Sequence, residues 1–138
     1  MNEPDLIREI LTSCKSIAVV GLSNNGNRAS YGVSRFMQSR GYRIVPVNPM
    51  IGGALDEVAF PTLDAALAAA PGIRLVNVFR APEHVSAIVD DVIRLRIPYL
   101  WLQEGVIDSA AAKRAETAGV KVVMDRCILK DRMNLGWD

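Results

Sequence analysis

The sequence predicts an α/β domain built on one doubly wound parallel sheet with helices on both faces. Three observations carry this expectation. Short, almost wholly apolar runs alternate along the chain with stretches whose apolar residues recur at helical spacing. Several of these runs close on glycine, asparagine or proline, the residues that punctuate turns. The length of 138 residues suits one domain and is too short for a nucleotide domain plus a separate catalytic one.

In chain order, Pro4 suits a first helical turn, and Leu6, Ile7, Ile10 and Leu11 follow at the spacing of a short amphipathic helix. Residues 16–22 (SIAVVGL) form the first strand, apolar enough to be covered on both faces. A polar loop over 23–29 leads into a helix, SYGVSRFMQSRG, with Val33, Phe36 and Met37 on one face and Gly41 as its stop. Residues 42–47 (YRIVPV) are the second strand, weakened by Pro46, which brings no amide hydrogen. Gly52-Gly53 marks a turn, 57–60 a short third strand at the sheet edge, and 62–70 an alanine-rich helix. Residues 73–79 (IRLVNVF) are the fourth strand, after which Pro82 opens a helix carrying Val85, Ile88, Val89 and Val92. Residues 99–103 are the fifth strand, 108–118 a helix with Asp108 as N-cap and Gly119 as stop, and 120–124 the sixth strand. Right-handed crossovers between parallel strands then give a Rossmann-like single domain over 1–138, strand order 3-2-1-4-5-6.

Open sheets of this kind bind ligands beyond the carboxyl ends of their strands, where the strand order reverses, here between strands one and four. Gly21 opens the first of the two exits, GLSNNGNRAS, placed just before a helix. Free backbone amides and the positive end of the helix dipole attract phosphate there; Ser23 and Ser30 add hydroxyls, and Arg28 adds a charge able to donate two parallel hydrogen bonds. The competing reading is a solvated turn with Ser30 as the helix N-cap. The spacing is G-x-x-x-x-G rather than G-x-G-x-x-G, and Asn48 replaces the usual acid after strand two, which disfavours NAD. Gly26 is followed by Asn27 and Arg28 and not by Lys and a hydroxyl, which disfavours triphosphate hydrolysis. At the exit of strand four Arg80 follows Phe79, so two arginines converge, as a ligand with several phosphates requires, while Phe79 or Pro82 offers apolar surface to a base.

Sixteen Lys and Arg against fifteen Asp and Glu leave a net charge of +1, which gives no reason to expect nucleic acid or an anionic membrane as partner. No run is long enough to span a bilayer and the first residues lack the pattern of a secretory signal, so a cytoplasmic location is expected. Cys14 and Cys127 are too few for a disulfide framework and lack metal-ligand spacing, which suggests reduced thiols and no metal.

With those residues in hand, the chain resembles the small bacterial CoA-binding proteins whose Rossmann domain is related to the N-terminal domain of the succinyl-CoA synthetase alpha subunit. The resemblance spans essentially the whole chain and rests on six patterns in order: AVVGLS at 18–23, R-x-SY at 28–31, GYRIVPVNP at 41–49, VNVFR at 76–80, WLQEGV at 101–106 and VVMDRC at 122–127. It implies coenzyme A or an acyl-CoA held non-covalently, its phosphates on Ser23, Arg28, Ser30 and Tyr31. The adenosine would lie near Asn48 and Pro49, with Phe79 and Arg80 facing the pantetheine or phosphate portion. Ala29 stands where family members often have proline, and Asn24 to Asn27 replace a proline-containing loop, a difference that bears on loop rigidity.

The synthetase relatives need a phosphorylatable histidine and a second domain. The one histidine here, His84, sits in the first turn of a helix with a solvated role, so that ligase reaction is not expected. Gln103 and Glu104 leave strand five on the ligand side, Gln103 as a binding residue and Glu104 as the best-placed carboxylate. Cys127 follows strand six beside Arg126, a charge that favours a thiolate. The expectation is a carrier or sensor of CoA without chemistry of its own. The alternatives are an NAD- or acyl-CoA-dependent enzyme using Glu104 or Cys127, and an interaction module in which residues 128–137 meet a partner.

Overall fold

A computed structural model describes residues 1–135. Five parallel strands form the sheet: β1 (Ser16–Val20), β2 (Arg43–Val47), β5 (Leu75–Val78), β6 (Tyr99–Leu102) and β7 (Lys121–Met124), in the order β2-β1-β5-β6-β7. Between β2 and β5, the two-residue strands β3 (Gly53–Ala54) and β4 (Glu57–Val58) pair only with each other, antiparallel. Helices α1 (Pro4–Ser13), α2 (Ala29–Ser39) and α6 (Ile128–Asn134) cover one face of the sheet, and α3 (Leu63–Ala69), α4 (Val85–Arg94) and α5 (Ser109–Thr117) the other.

Alternation along each strand produces the two cores. In β5, Leu75 faces the α1/α2/α6 side while Val76 and Val78 face α3, α4 and α5. Val85, Ile88, Val89 and Val92 are the buried residues of α4, the set its helical spacing predicted. Asp108 caps α5 by accepting the Ala111 amide at 3.0 Å, and Thr62 caps α3 by accepting that of Ala65 at 3.1 Å.

The fold class is as the sequence predicted, and the strand order differs in one detail. The expected third strand at 57–60 does not join the sheet as a strand. Its first two residues are spent on the β3–β4 hairpin, and only Phe60 reaches β2, in a single parallel bridge to Val47. Phe60 donates its amide to Pro46 O at 2.9 Å and accepts that of Asn48 at 2.9 Å. Pro61 follows directly and brings no amide to extend the ladder. The same contact shows why Pro46 is tolerated: its peptide group faces the outer edge, away from the β1 ladder.

Candidate functional site

The exits of β1 and β5 lie side by side because the two strands pair in register from Ile17↔Leu75 to Val20↔Val78, and Phe79 extends the ladder by donating its amide to Val20 O at 2.9 Å. The closest approach is at Gly21. Its φ of +87° is a conformation that side chains rarely adopt. A Cβ there would run into the carbonyl oxygen of Phe79 and stand 2.9 Å from Arg80 Cδ. Glycine therefore lets the β1 exit and the Phe79-Arg80 turn pack backbone to backbone, with the half-buried Arg80 beside the loop.

Beyond Gly21 the loop is held by its own side chains. Ser30 Oγ accepts the Ser23 amide at 3.0 Å, Ser23 Oγ accepts that of Asn25 at 3.0 Å, and Asn25 Oδ1 accepts that of Asn27 at 2.9 Å. The Arg28 amide goes to Asn25 O at 3.0 Å, and Arg28 O takes the amides of Tyr31 and Gly32. Among the described residues this leaves the amides of Ala29 and Ser30 as the open donors of the α2 first turn, beside the exposed Arg28. Ser30 is not the N-cap of α2. That position belongs to Arg28, whose side chain makes no capping bond, and the Ser30 hydroxyl is buried and turned back to Ser23. The half-buried Tyr31 ring flanks Gly26.

Asn48 fastens the β2 exit to this loop. Its Nδ2 donates to Leu22 O at 3.1 Å while its Oδ1 accepts the Met50 amide at 2.9 Å, and Pro49 between them is exposed. Gly21, Ser23, Arg28, Ser30, Tyr31, Asn48, Pro49, Phe79 and Arg80 thus gather at neighbouring strand ends. Phe79 is half-buried and packs against the α1/α2/α6 core, which leaves part of its ring for contacts outside.

Gln103 stands apart. It is buried at the end of β6, and its Oε1 accepts the Ile128 amide at 3.0 Å, supplying an acceptor to the first turn of α6. The carboxyl ends of β6 and β7 carry a second polar group. Asp125, at φ +61°, accepts the Gly105 amide at 2.8 Å, and Trp101 Nε1 donates to Arg126 O at 2.8 Å. Arg126 is bound through two hydrogen bonds, of 2.7 and 2.8 Å, to the buried carboxylate of Asp131, which holds its guanidinium above its usual range. That pairing turns the Arg126 charge toward Asp131, so its place next to Cys127 in sequence does not by itself make it the thiol's partner. Glu104 is exposed and pairs with Lys130 at 3.1 Å; Lys130 is held above its usual range by Glu104 first and, to a lesser degree, by Cys127.

His84 is exposed, its nearest ion-pair partner being Glu83 at 4.0 Å. Residues 128–134 form α6, which buries Ile128 in the domain's own core, and Gly136 to Trp137 of the suggested docking segment lie outside the described residues. Both cysteines are free thiols, and among the described residues no cluster of His, Cys, Asp or Glu has the makings of a metal site. No helix among them is long and apolar enough to cross a membrane. A hollow of about 820 Å3 lies on the outer side of α4 and α5, floored by Ile93 and Ala110, remote from the strand ends, so room alone does not mark the site.

Sequence reasoning missed Asp125 and Asn2. Asn2 pairs with the β7 edge in both directions, donating to Met124 O and accepting the Met124 amide, each at 2.8 Å. No local motif marks Asn2, and although Asp125 stands within the VVMDRC pattern, nothing there tells that its carboxylate serves the Gly105 amide, twenty residues earlier in the chain.

One doubly wound sheet, with a loop and a helix start beyond its central strands, defines the protein as a Rossmann-like α/β domain. More particularly, a family model described as the CoA binding domain matches residues 15–133, and the chain belongs to that family. It is 39% identical over 122 residues to the uncharacterized protein YneT of Bacillus subtilis (strain 168), covering 88% of each chain. Among solved structures it is similar to the cell-free ID.343 protein of Thermus thermophilus, with TM-score 0.87, 31% identity, and 96% of this chain and 98% of that one covered. A hypothetical protein of Pyrococcus horikoshii OT3 superposes with TM-score 0.89 at 30% identity, over 96% and 92% of the two chains.

Proposed function

We propose that this domain binds coenzyme A or an acyl-CoA non-covalently, with the diphosphate on the β1–α2 loop, and serves as a carrier or sensor. Membership of the CoA-binding family supports the ligand class. The observation that carries the placement is the pair of open amides, Ala29 and Ser30, at the start of the eleven-residue α2 with Arg28 alongside. Helix-start amides and a guanidinium complement a diphosphate, and the amides of Ser23, Asn25, Asn27 and Arg28 are already taken by Ser30, Ser23 and Asn25. Arg80, its Cδ brought against Gly21, adds a second cationic side chain beside the loop. Asn48 and Pro49 form the rim on the β2 side, where the adenosine would rest. Asn48 offers no carboxylate to the paired hydroxyls of an NAD ribose, and its amide is engaged at both ends.

Calorimetric titration with CoA, dephospho-CoA and NAD tests this reading. Binding of CoA in preference to NAD, weakened by Arg28→Ala, is expected. Equal or tighter NAD binding, or CoA affinity indifferent to Arg28, would overturn it.

A further inference from the structure

Two hydrogen bonds join α2 and the segment after β2 into one rim beside the phosphate loop. Asn48 Nδ2 ties the β2 exit to Leu22 O in the loop, and Gln38 Nε2 ties α2 to Leu55 O in the β3–β4 turn at 2.9 Å. The hairpin stays by the β2 exit because the Ala59 amide reaches back to Gly52 O at 3.0 Å and Phe60 bridges Val47. The side of α2 that carries Gln38 therefore faces this rim.

Arg35 stands on that side. It follows Tyr31, whose ring flanks Gly26 of the loop, by one helical turn and precedes Gln38 by another, spacings that set side chains next to each other on a helix surface. Arg28 lies two turns back on nearly the same side, roughly 10 Å along the axis. Helical side chains lean toward the helix start, which carries the Arg35 guanidinium in the direction of Arg28. Arg35 is exposed and its charge is uncommitted: α2 contains no Asp or Glu, and among the described residues neither acid of the hairpin, Asp56 or Glu57, pairs with it. The opposite wall of the rim offers no cation, since residues 44–55 contain no Lys or Arg.

CoA carries a phosphate monoester on its ribose, one sugar ring away from the diphosphate. With the diphosphate on Arg28 and the Ala29 and Ser30 amides, and the adenosine against Asn48 and Pro49, that ribose falls between α2 and the β2 exit. We propose that Arg35 binds the ribose phosphate and so makes the site prefer CoA to dephospho-CoA. This rests on the diphosphate placement proposed above. The planar guanidinium donates two parallel hydrogen bonds to the phosphate oxygens, a match that a lysine ammonium does not reproduce.

Calorimetric titration of the full chain with CoA and with dephospho-CoA tests the assignment in the wild type, Arg35→Ala, Arg35→Lys and Arg28→Ala. At low salt the wild type should bind CoA at least about tenfold more tightly than dephospho-CoA, and added salt should shrink that preference. Arg35→Ala should abolish the preference by weakening CoA alone, and Arg35→Lys should keep part of it. Arg28→Ala should weaken both ligands. Arg35 is exposed, so its replacement should leave the fold intact. No preference in the wild type, or a preference that survives Arg35→Ala, would overturn the proposal. If Arg28→Ala still weakens both ligands in that case, the role of Arg35 alone is refuted. If neither ligand binds, or neither responds to Arg28→Ala, the diphosphate placement beneath it is refuted as well.

Discussion

Replacing Gly21 with alanine should damage the domain in two additive ways. The first is conformational: at φ +87° a side chain costs roughly 1–2 kcal/mol. The second is steric, because the new Cβ meets the Phe79 carbonyl and stands 2.9 Å from Arg80 Cδ, an overpacking that costs roughly 1–3 kcal/mol. Gly41 isolates the first effect. Its φ is +93°, yet a Cβ there would find nothing within 4 Å, so Gly41→Ala should cost only the conformational share. The sum for Gly21→Ala is about 2–5 kcal/mol against a usual total of roughly 5–15 kcal/mol. At about 4 °C per kcal/mol for a chain of this size, Tm should fall by about 8–20 °C, and by about 4–8 °C for Gly41→Ala. Thermal and urea denaturation of both variants measure this, and CoA titration of Gly21→Ala should show weaker binding as Arg80 is displaced. Equal losses at the two glycines would refute the claim that the β1 and β5 exits are pressed together at Gly21.

Arg28→Ala should weaken CoA by about 10- to 150-fold, since a charge-assisted phosphate contact is worth roughly 1.5–3 kcal/mol, as calorimetry would show. Gly32 lies inside α2 with nothing within 4 Å of an added Cβ, so Gly32→Ala should raise stability by about 0.5–1 kcal/mol in urea denaturation. Asn2→Ala removes both hydrogen bonds to Met124 and should cost about 1–3 kcal/mol, with faster hydrogen exchange at the Met124 amide. Glu9 accepts hydrogen bonds from Tyr99 at 2.5 Å and Lys121 at 3.0 Å, which lower its pKa from the usual 4.5. Its contribution is therefore present above pH 4.5 and lost as pH falls through the lowered value. Glu9→Gln should flatten the acid limb of the stability curve there, and an unchanged limb would count against that pairing.

The sheet was legible because its central strands are covered on both faces and so read as unbroken apolar runs, and because α4 carries clean helical spacing and α5 a capping aspartate. The edge was harder to read. The residues at 57–60 look like a strand, but Leu55 and Asp56 take left-handed conformations in a tight turn without the Asn-Gly signature that would announce a hairpin. At the site, the anion-binding composition of 21–30 was visible, whereas the division of labour within it was not. Ser30 resembles a cap in sequence and serves instead as an acceptor for Ser23. Gln103, read as a binding residue, also accepts the Ile128 amide at the first turn of α6, a contact its sequence neighbours do not announce. Arg126 neighbours Cys127 in the chain, yet its guanidinium goes to Asp131. Each of these outcomes depends on a partner brought in by the tertiary fold, which local pattern does not encode.

The placement of the diphosphate is tested most directly by a crystal structure grown with excess CoA. The account predicts phosphate oxygens within hydrogen-bonding distance of the Ala29 and Ser30 amides and of the Arg28 guanidinium. A bound CoA whose phosphates lie elsewhere, with those two amides facing solvent, would contradict it.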